Sequence, residues 1–290
     1  MSKLCPSCSH ELQRGAKSWH LVCPVCAYEG STLGVAINVA GVKEQINEAT
    51  RGDALREIRA ANFDQLLQLI APLTPPAPIG EKSPRLLDIG SGHGWFVAAA
   101  SKHFSAQGVE PDEGARAQAR SSGIELIPGL FPECLAPESR FEVVTFNDSL
   151  EHMPDVSVAL KAAFSHLVSG GLAVVNLPNA AGFFYQLSRA LDKVGWAGPF
   201  ERMWQVGLPS PHLHYFRPEN LEAIARAQGF ELVEQQALES IRFKGLYARI
   251  SYARDGAPVS SALMWLATLP LLPIVRVAPS DIMVLVFRKP

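Results

Sequence analysis

Little in this 290-residue chain favours a membrane span, a polyanion-binding face or a disulfide framework. Its longest apolar run, Ala262–Val275, is fourteen residues long and holds two prolines. It is too short and too interrupted to cross a bilayer as a helix. Basic and acidic residues nearly cancel, at 26 − 28 = −2, so no broad nucleic-acid-binding stripe is expected, although a local patch stays open. The first ten residues, MSKLCPSCSH, carry no apolar signal segment, which gives the expectation of a cytoplasmic protein. Internal repeats and low-complexity tracts are absent. What is present, 48% hydrophobic and 19% charged residues, is the composition of a globular chain with a sizeable core. The length suits one full α/β domain and a small appendage.

Cysteine is scarce, with five in the chain, yet four fall in the first 26 residues, as Cys5-Pro-Ser-Cys8 and Cys23-Pro-Val-Cys26. Two C-x-x-C knuckles fourteen residues apart fit one tetrahedral zinc, each tight turn presenting two thiolates. All four ligands come from protein, so this zinc is expected to be structural. A pair of redox dithiols is the alternative, but no thioredoxin-like βαβ unit lies nearby. His10 and His20, inside this ribbon, are expected at the surface. Cys134 stands alone and is expected to be a small buried residue.

After the ribbon, apolar residues at Leu55, Ile58, Phe63, Leu66, Leu67 and Ile70 recur at helical spacing, and the pattern predicts a helix over 42–73. TPPAPIGEKSP then breaks it. From Arg85 onward strands and helices alternate. Strands are expected at 85–89, 106–110, 124–127, 141–147, 171–177, 230–237 and 281–287. Helices are expected at 94–104, 112–122, 156–167 and 218–228. Such alternation implies parallel βαβ units in a doubly wound sheet, whose ligands sit beyond the carboxyl ends of the strands. The expected organisation is a ribbon over 1–35, a helical connector and linker over 36–80, and an α/β domain over 81–290. That domain carries an insert at 183–211 and a C-terminal insertion at 239–280.

The first strand runs into LLDIGSGHGWF. Gly90, Gly92 and Gly94 are spaced for close backbone approach to a ligand, but Trp95 displaces the third glycine of the dinucleotide fingerprint, and no Gly-Lys-Ser/Thr follows. Asp88 ends the first strand. Glu110 ends the second, twenty residues after Gly90, where a carboxylate can accept from a ribose diol.

D-I-G-S-G-H-G followed by V-E-P-D resembles motif one and the acidic post-motif of class I S-adenosylmethionine-dependent methyltransferases. FEVVTFNDSLEHMPD, LVSGGLAVVNLPN and HLHYFRPENLEAIARAQGF extend the resemblance to the branch containing ubiquinone-biosynthesis O-methyltransferases. The resemblance covers about residues 85–238 and the last strand. It implies a Rossmann-like seven-stranded sheet with the last strand antiparallel. It implies further that Asp88, Gly90, Ser91, Gly92, Gly94, Glu110 and Pro111 line the cofactor, Glu110 holding its ribose. Gly129 and Leu130 would lie at adenine, and Asn147 and Asp148 would face the sulfonium. Pro128 and Gly129 replace the acidic residue that more often contacts adenine.

The transfer this implies is in-line displacement of a sulfonium methyl, for which an enzyme mostly supplies alignment and, where needed, a base. His152 is the first candidate base, since imidazole as a class titrates near neutral pH. A histidine that only ties down its loop is the alternative. Asp148, Glu151 and His152 would share a helical face and could hold a divalent metal, as similar clusters do in some family members, with His212 or His214 adding a ligand. The alternative is a capped turn leading into Pro154. The aromatics of the 183–211 insert suit a lid over the acceptor. The 239–280 insertion places Arg242, Lys244, Arg249, Arg254 and Arg276 around an apolar stretch with Trp265. That pattern suits peripheral membrane contact and a lipid-linked acceptor, or else a helical pair packed on the sheet edge. The functions that follow are methyl transfer to a small-molecule or lipid-linked acceptor, at a hydroxyl; an RNA methyltransferase docking through the ribbon; or a cofactor-binding protein without turnover.

Overall fold

The computed structural model describes residues 3–38, 48–240, 247, 258–268, 275 and 277–290. Its centre is a seven-stranded sheet of β4 (Arg85–Ile89), β5 (Ser105–Glu110), β6 (Ile127–Pro128), β7 (Phe141–Asn147), β8 (Leu167–Pro178), β10 (Glu231–Leu238) and β11 (Ile282–Arg288), in the order β10-β11-β8-β7-β4-β5-β6. All pairings are parallel except those of β11, the last strand, which is antiparallel to both neighbours. This is the expected Rossmann-like α/β fold. The chain winds outward from β4 through β5 and β6, then returns to β7 on the other side of β4. The switch in strand order therefore lies between β4 and β7, where open sheets bind ligands.

The central strands read as apolar runs because both faces are covered. Leu87, Ile89, Val144, Phe146, Val175 and Leu285 face α4 (Val156–His166) and α7 (Pro218–Ala227). Leu86, Val143, Val174 and Val284 face α1 (Glu48–Ile70) and α2 (Trp95–Ala100) through Leu66, Ile70 and Phe96. Each such side chain, fully buried, contributes roughly 1.5–3 kcal/mol of apolar transfer. Asp112 starts α3 (Glu113–Ser121) by accepting from Ala115 N at 2.7 Å, and Asp155 starts α4 by accepting from Val158 N at 3.0 Å. Of the helix expected over 42–73, α1 and a 3₁₀ turn at Ala71–Leu73 occupy 48–73, while 42–47 lie outside the described residues. The third strand, expected at 124–127, is only Ile127–Pro128. Ile124 instead packs beside Val97, Ala119 and Leu126 under α2 and α3.

The N-terminal ribbon contains β1 (Gln13–Arg14), β2 (His20–Val22) and β3 (Glu29–Ser31). These strands form one sheet with β9 (His214–Tyr215), two hundred residues away in sequence, through antiparallel pairing of β3 with β9. His20 is therefore not at the surface: it is 1% exposed, and its Nε2 lies 2.8 Å from Glu29. Glu29 also accepts from Tyr185 at 2.7 Å and Arg189 at 2.9 Å, so a buried charge is matched by three donors. His10 is exposed. Cys134 is half-buried rather than buried, lying against Gly129. The insert folds as α5 (Phe183–Lys193) and α6 (Gly198–Met203). Its Tyr185, Phe200 and Trp204 are core residues packed with Tyr215 and the ribbon's Trp19, and Trp196 remains exposed. Of the C-terminal insertion, α8 (Pro258–Thr268) is described. Arg242, Lys244, Arg249, Arg254 and Arg276 lie outside the described residues. No helix among the described residues is long and apolar enough to cross a membrane.

Candidate active site

At the carboxyl end of β4, Asp88 is 1% exposed and accepts from Thr145 Oγ1 at 2.7 Å and Asn147 Nδ2 at 3.2 Å. Burial pushes its carboxyl up to about 6 against the pull of those donors. The loop after it turns back on itself because Gly90, Gly92 and Gly94 take left-handed φ of 76°, 53° and 73°. A side chain at Gly90 would come within 2.6 Å of Ser149 Cβ, so the glycine lets the β4 and β7 loops touch. Ser91 closes the turn by donating to the Asp88 carbonyl at 2.9 Å. Glu110, at the end of β5, accepts from Gly92 N at 2.7 Å and from Asp112 N at 2.8 Å. Each of its oxygens keeps a further lone pair. Burial raises its carboxyl above the usual range. The Pro111 carbonyl accepts from Asn38 at 2.8 Å and Arg116 at 2.7 Å. Past β6, Gly129 sits at φ 122° and Leu130 is 64% exposed.

β7 delivers the second group. Asn147 bridges Asp88 and Asn176, whose Nδ2 donates to it at 3.3 Å. Asp148 has left-handed φ of 51° and is exposed. The expected helical face of Asp148, Glu151 and His152 does not form. The chain makes a 3₁₀ turn only at Leu150–His152, and the turn starts after Asp148. His212 takes the third place instead: ligand atoms of Glu151, His152 and His212 all lie within 4.8 Å of one another. His214 does not join them. Its Nε2–H donates to the Met153 carbonyl at 2.8 Å and its Nδ1 accepts from Tyr28, and burial lowers its pKa to about 4.

Glu151 is 1% exposed, yet neither carboxylate oxygen meets a hydrogen-bond partner. Burial, reinforced by the charge of Asp148, holds its carboxyl well above the usual range. His152 Nδ1 lies 3.0 Å from the Pro211 carbonyl. A carbonyl only accepts, so Nδ1 carries a proton and is the anchored nitrogen of the ring. Its Nε2 is 3.9 Å from Glu151 Oε1. The His152 and His212 rings meet edge-on, with centroids 4.8 Å apart, and Gln205 donates to His212 Nε2 at 2.8 Å. This arrangement can accept a proton at His152 or hold a cation among three donors.

The structure thus joins Asp88 directly to Asn147 and Gly92 directly to Glu110, and it gathers Glu151, His152 and His212. Sequence reasoning did not single out Thr145, Asn176 or Gln205. The signal for the first two was a polar residue inside an apolar strand, FEVVTFN and LAVVNLP. At the other end, Cys5, Cys8, Cys23 and Cys26 converge, with Sγ atoms 3.4–3.5 Å apart in three pairs and all four within 4.8 Å of one another.

A family model described as a methyltransferase domain matches residues 55–235. No curated protein matches the chain. Among solved structures, an S-adenosylmethionine-dependent methyltransferase from Thermotoga maritima is similar with a TM-score of 0.52 at 19% identity, over 84% of this chain and 95% of that one. Another, from Archaeoglobus fulgidus, is similar with a TM-score of 0.50 at 16% identity, over 81% of this chain and 97% of that one.

Proposed function

We infer the acceptor chemistry from the premise that the chain belongs to the methyltransferase-domain family and is an S-adenosylmethionine-dependent methyltransferase. The proposed reaction moves the cofactor's methyl group to a hydroxyl of a small-molecule or lipid-linked acceptor. The new O–CH₃ bond forms as the S–CH₃ bond breaks, and the hydroxyl proton leaves to His152 Nε2. The observation that carries this reading is the gathering of His152 with Glu151 and His212 beside the β7 end, with the imidazole anchored through its Nδ1 at the Pro211 carbonyl. In the same reading Gly90, Ser91, Gly92 and Gly94 let the backbone approach the cofactor. Glu110 takes its ribose diol on the remaining lone pairs, Pro111, Gly129 and Leu130 border adenine, and Asp88, Asn147 and Asp148 lie toward its amino-acid end.

A second reading of the same cluster is favoured by Glu151. A buried carboxylate without a donor is costly unless it is protonated or neutralised by a cation. One carboxylate and two imidazoles form a donor set that suits a divalent cation, and Glu151, His152 and His212 would hold it, His212 once it exchanges its bond from Gln205 for the cation. Such an ion would lower the pKa of a bound acceptor hydroxyl. In the ribbon, four convergent thiols with no disulfide fit a structural zinc. The lipid-linked choice is supported by α8, where Leu263 and Leu266 are exposed. The RNA reading is disfavoured because the ribbon's β3 is already engaged with β9.

Transfer of labelled methyl from S-adenosylmethionine into fractionated cell extract tests the proposal. Label in the organic-extractable or small polar fraction supports it, and label in RNA overturns the choice of acceptor. Repeating the assay after chelation, with and without added magnesium or manganese, decides between proton acceptor and cation holder at His152.

A further inference from the structure

The ribbon and the Glu151–His152–His212 group are usually separable kinds of feature, a docking module and a reaction centre. Here they are joined by hydrogen bonds at the edge of one sheet, β1-β2-β3-β9. β3 pairs with β9 through Glu29 opposite Tyr215 and Gly30 opposite His214. Ser31 N donates to the Leu213 carbonyl at 2.9 Å, and Ser31 Oγ donates to the His212 carbonyl at 3.0 Å. Leu213 N in turn donates to the Glu151 carbonyl at 2.8 Å. The backbone that carries His212 is therefore held between the ribbon and the turn that carries Glu151 and His152. Tyr28, two residues after the second knuckle, hydrogen-bonds His214, and the amide of Asn220 donates to the Cys26 carbonyl at 3.0 Å.

The segment leaving the ribbon reaches the cofactor end as well. Ala36 N donates to the Pro209 carbonyl at 2.7 Å, close to His212 in sequence. Two residues on, Asn38 donates to the Pro111 carbonyl at 2.8 Å and accepts from Glu113 N at 3.3 Å, next to Glu110. Residues 32–38 thus form a strap from the ribbon across to the carboxyl end of β5.

We propose that the four-cysteine ribbon is a positioning element for the reaction centre: with its metal bound, it holds His212 against Glu151 and His152 and holds the strap against the β5 end. Loss of that metal releases both without unfolding the seven-stranded sheet. The physical reason is local. Two knuckles of a few residues each lack a core of their own and depend on the metal for their shape. The sheet beside them is held by its own apolar faces, and sub-global opening follows such boundaries. The proposal rests on reading Glu151, His152 and His212 as the reaction centre, but its test reads structure and not turnover.

The test uses the full-length chain with Cys134→Ser, so that the ribbon thiols are the only ones present. A thiol-selective mercurial displaces zinc, release is followed with a chromogenic chelator, and amide hydrogen exchange is read by mass spectrometry. The expected result is at least tenfold faster exchange in 209–216 and 32–38 as zinc leaves, with 85–89 and 141–147 unchanged. Unchanged exchange in 209–216 while 5–31 loosens would overturn the proposal and make the ribbon an independent module. Loosening of 85–89 and 141–147 together with the ribbon would overturn it in the other direction, making the metal a staple for the whole fold. Ser31→Ala, which leaves all four thiols in place, supplies the second arm. It should retain its zinc, speed exchange at 211–216 about threefold, and move the carbon-13 ring signal of His212 but not that of exposed His103. No change in either would break the link. Full methyl transfer by a His152→Ala chain would refute the reaction-centre reading alone and leave the exchange result standing.

Discussion

Asp88 and Glu151 are two carboxylates at the same end of the same sheet, each 1% exposed, and their surroundings are opposite. Asp88 receives Thr145 and Asn147; Glu151 receives no hydrogen bond on either oxygen. Burial raises both, Asp88 to about 6 and Glu151 well beyond the usual range. The difference separates two uses of a buried acid. Where donors converge, the acid is a fixed shelf that orders a loop. Where none do, the fold has spent desolvation free energy on a group still lacking its complement, and that complement is a proton or a positive ligand.

The largest expected effect lies on the unsatisfied side. His152→Ala should lower methyl transfer about 10²–10⁴-fold while cofactor affinity, read by calorimetry, stays unchanged. Transfer within a few-fold of the parent would place the histidine among the loop ties. Glu151→Gln should also depress transfer, but its folding effect should differ in sign from that of Asp88. Removing a buried carboxylate that has no donor should leave the midpoint of thermal unfolding at pH 8 equal or higher. A clear drop would mean the carboxylate has a partner in solution. Asp88→Ala strands two buried donors and should cost about 1–3 kcal/mol by denaturant unfolding, and it should weaken S-adenosylmethionine binding.

Proton linkage sharpens the same contrast. The folded-state pKa of Asp88 is raised from 3.8 to about 6, so the folded protein holds the proton more tightly than the unfolded chain. Its contribution to stability is full below pH 3.8 and is lost as pH rises through about 6, a change on the order of 2–3 kcal/mol. Unfolding free energies measured between pH 4 and 7 should show this fall. The slope should be shallower in Asp88→Asn, and identical slopes would remove Asp88 from the set of titrating groups.

The contrast also marks what could be read from residues alone. The proposed cofactor side is local: Asp88, the glycine loop and Glu110 fall within 23 consecutive positions, and periodicity places each at a strand end. The succession of strands and helices along the chain follows from alternation for the same reason. The proposed acceptor side is assembled from Glu151 and His152 on one loop and His212 sixty positions later, and His212 is placed by a ribbon strand near the N-terminus. No spacing rule connects β3 with β9, because the pairing is set by the tertiary path of the chain. Helical spacing suggests Asp148 as the third ligand, but the turn begins at Leu150, two residues too late for that. The expectation of a surface His20 fails because, although β2–β3 pairing supplies Glu29, the cover over the pair, Tyr185, Arg189, Phe200 and Trp204, comes from the distant insert.

The smallest effect concerns how the two acidic regions touch. Gly90 and Gly92 both have left-handed φ, 76° and 53°, so alanine at either should cost about 1–2 kcal/mol of backbone strain. Their neighbours differ. A Cβ at Gly90 meets Ser149 Cβ at 2.6 Å, and Ser149 begins the turn leading to Glu151, whereas a Cβ at Gly92 meets nothing within 4 Å. Gly90→Ala must therefore push the β7 loop aside, adding a packing cost to the strain. Gly92→Ala should show the strain alone, with its amide still donating to Glu110. Denaturant unfolding of the two variants should rank Gly90→Ala below Gly92→Ala, and the Gly90 variant alone should shift the ring signal of His152. Equal destabilisation with no shift at His152 would mean that the cofactor loop and the Glu151 turn move independently.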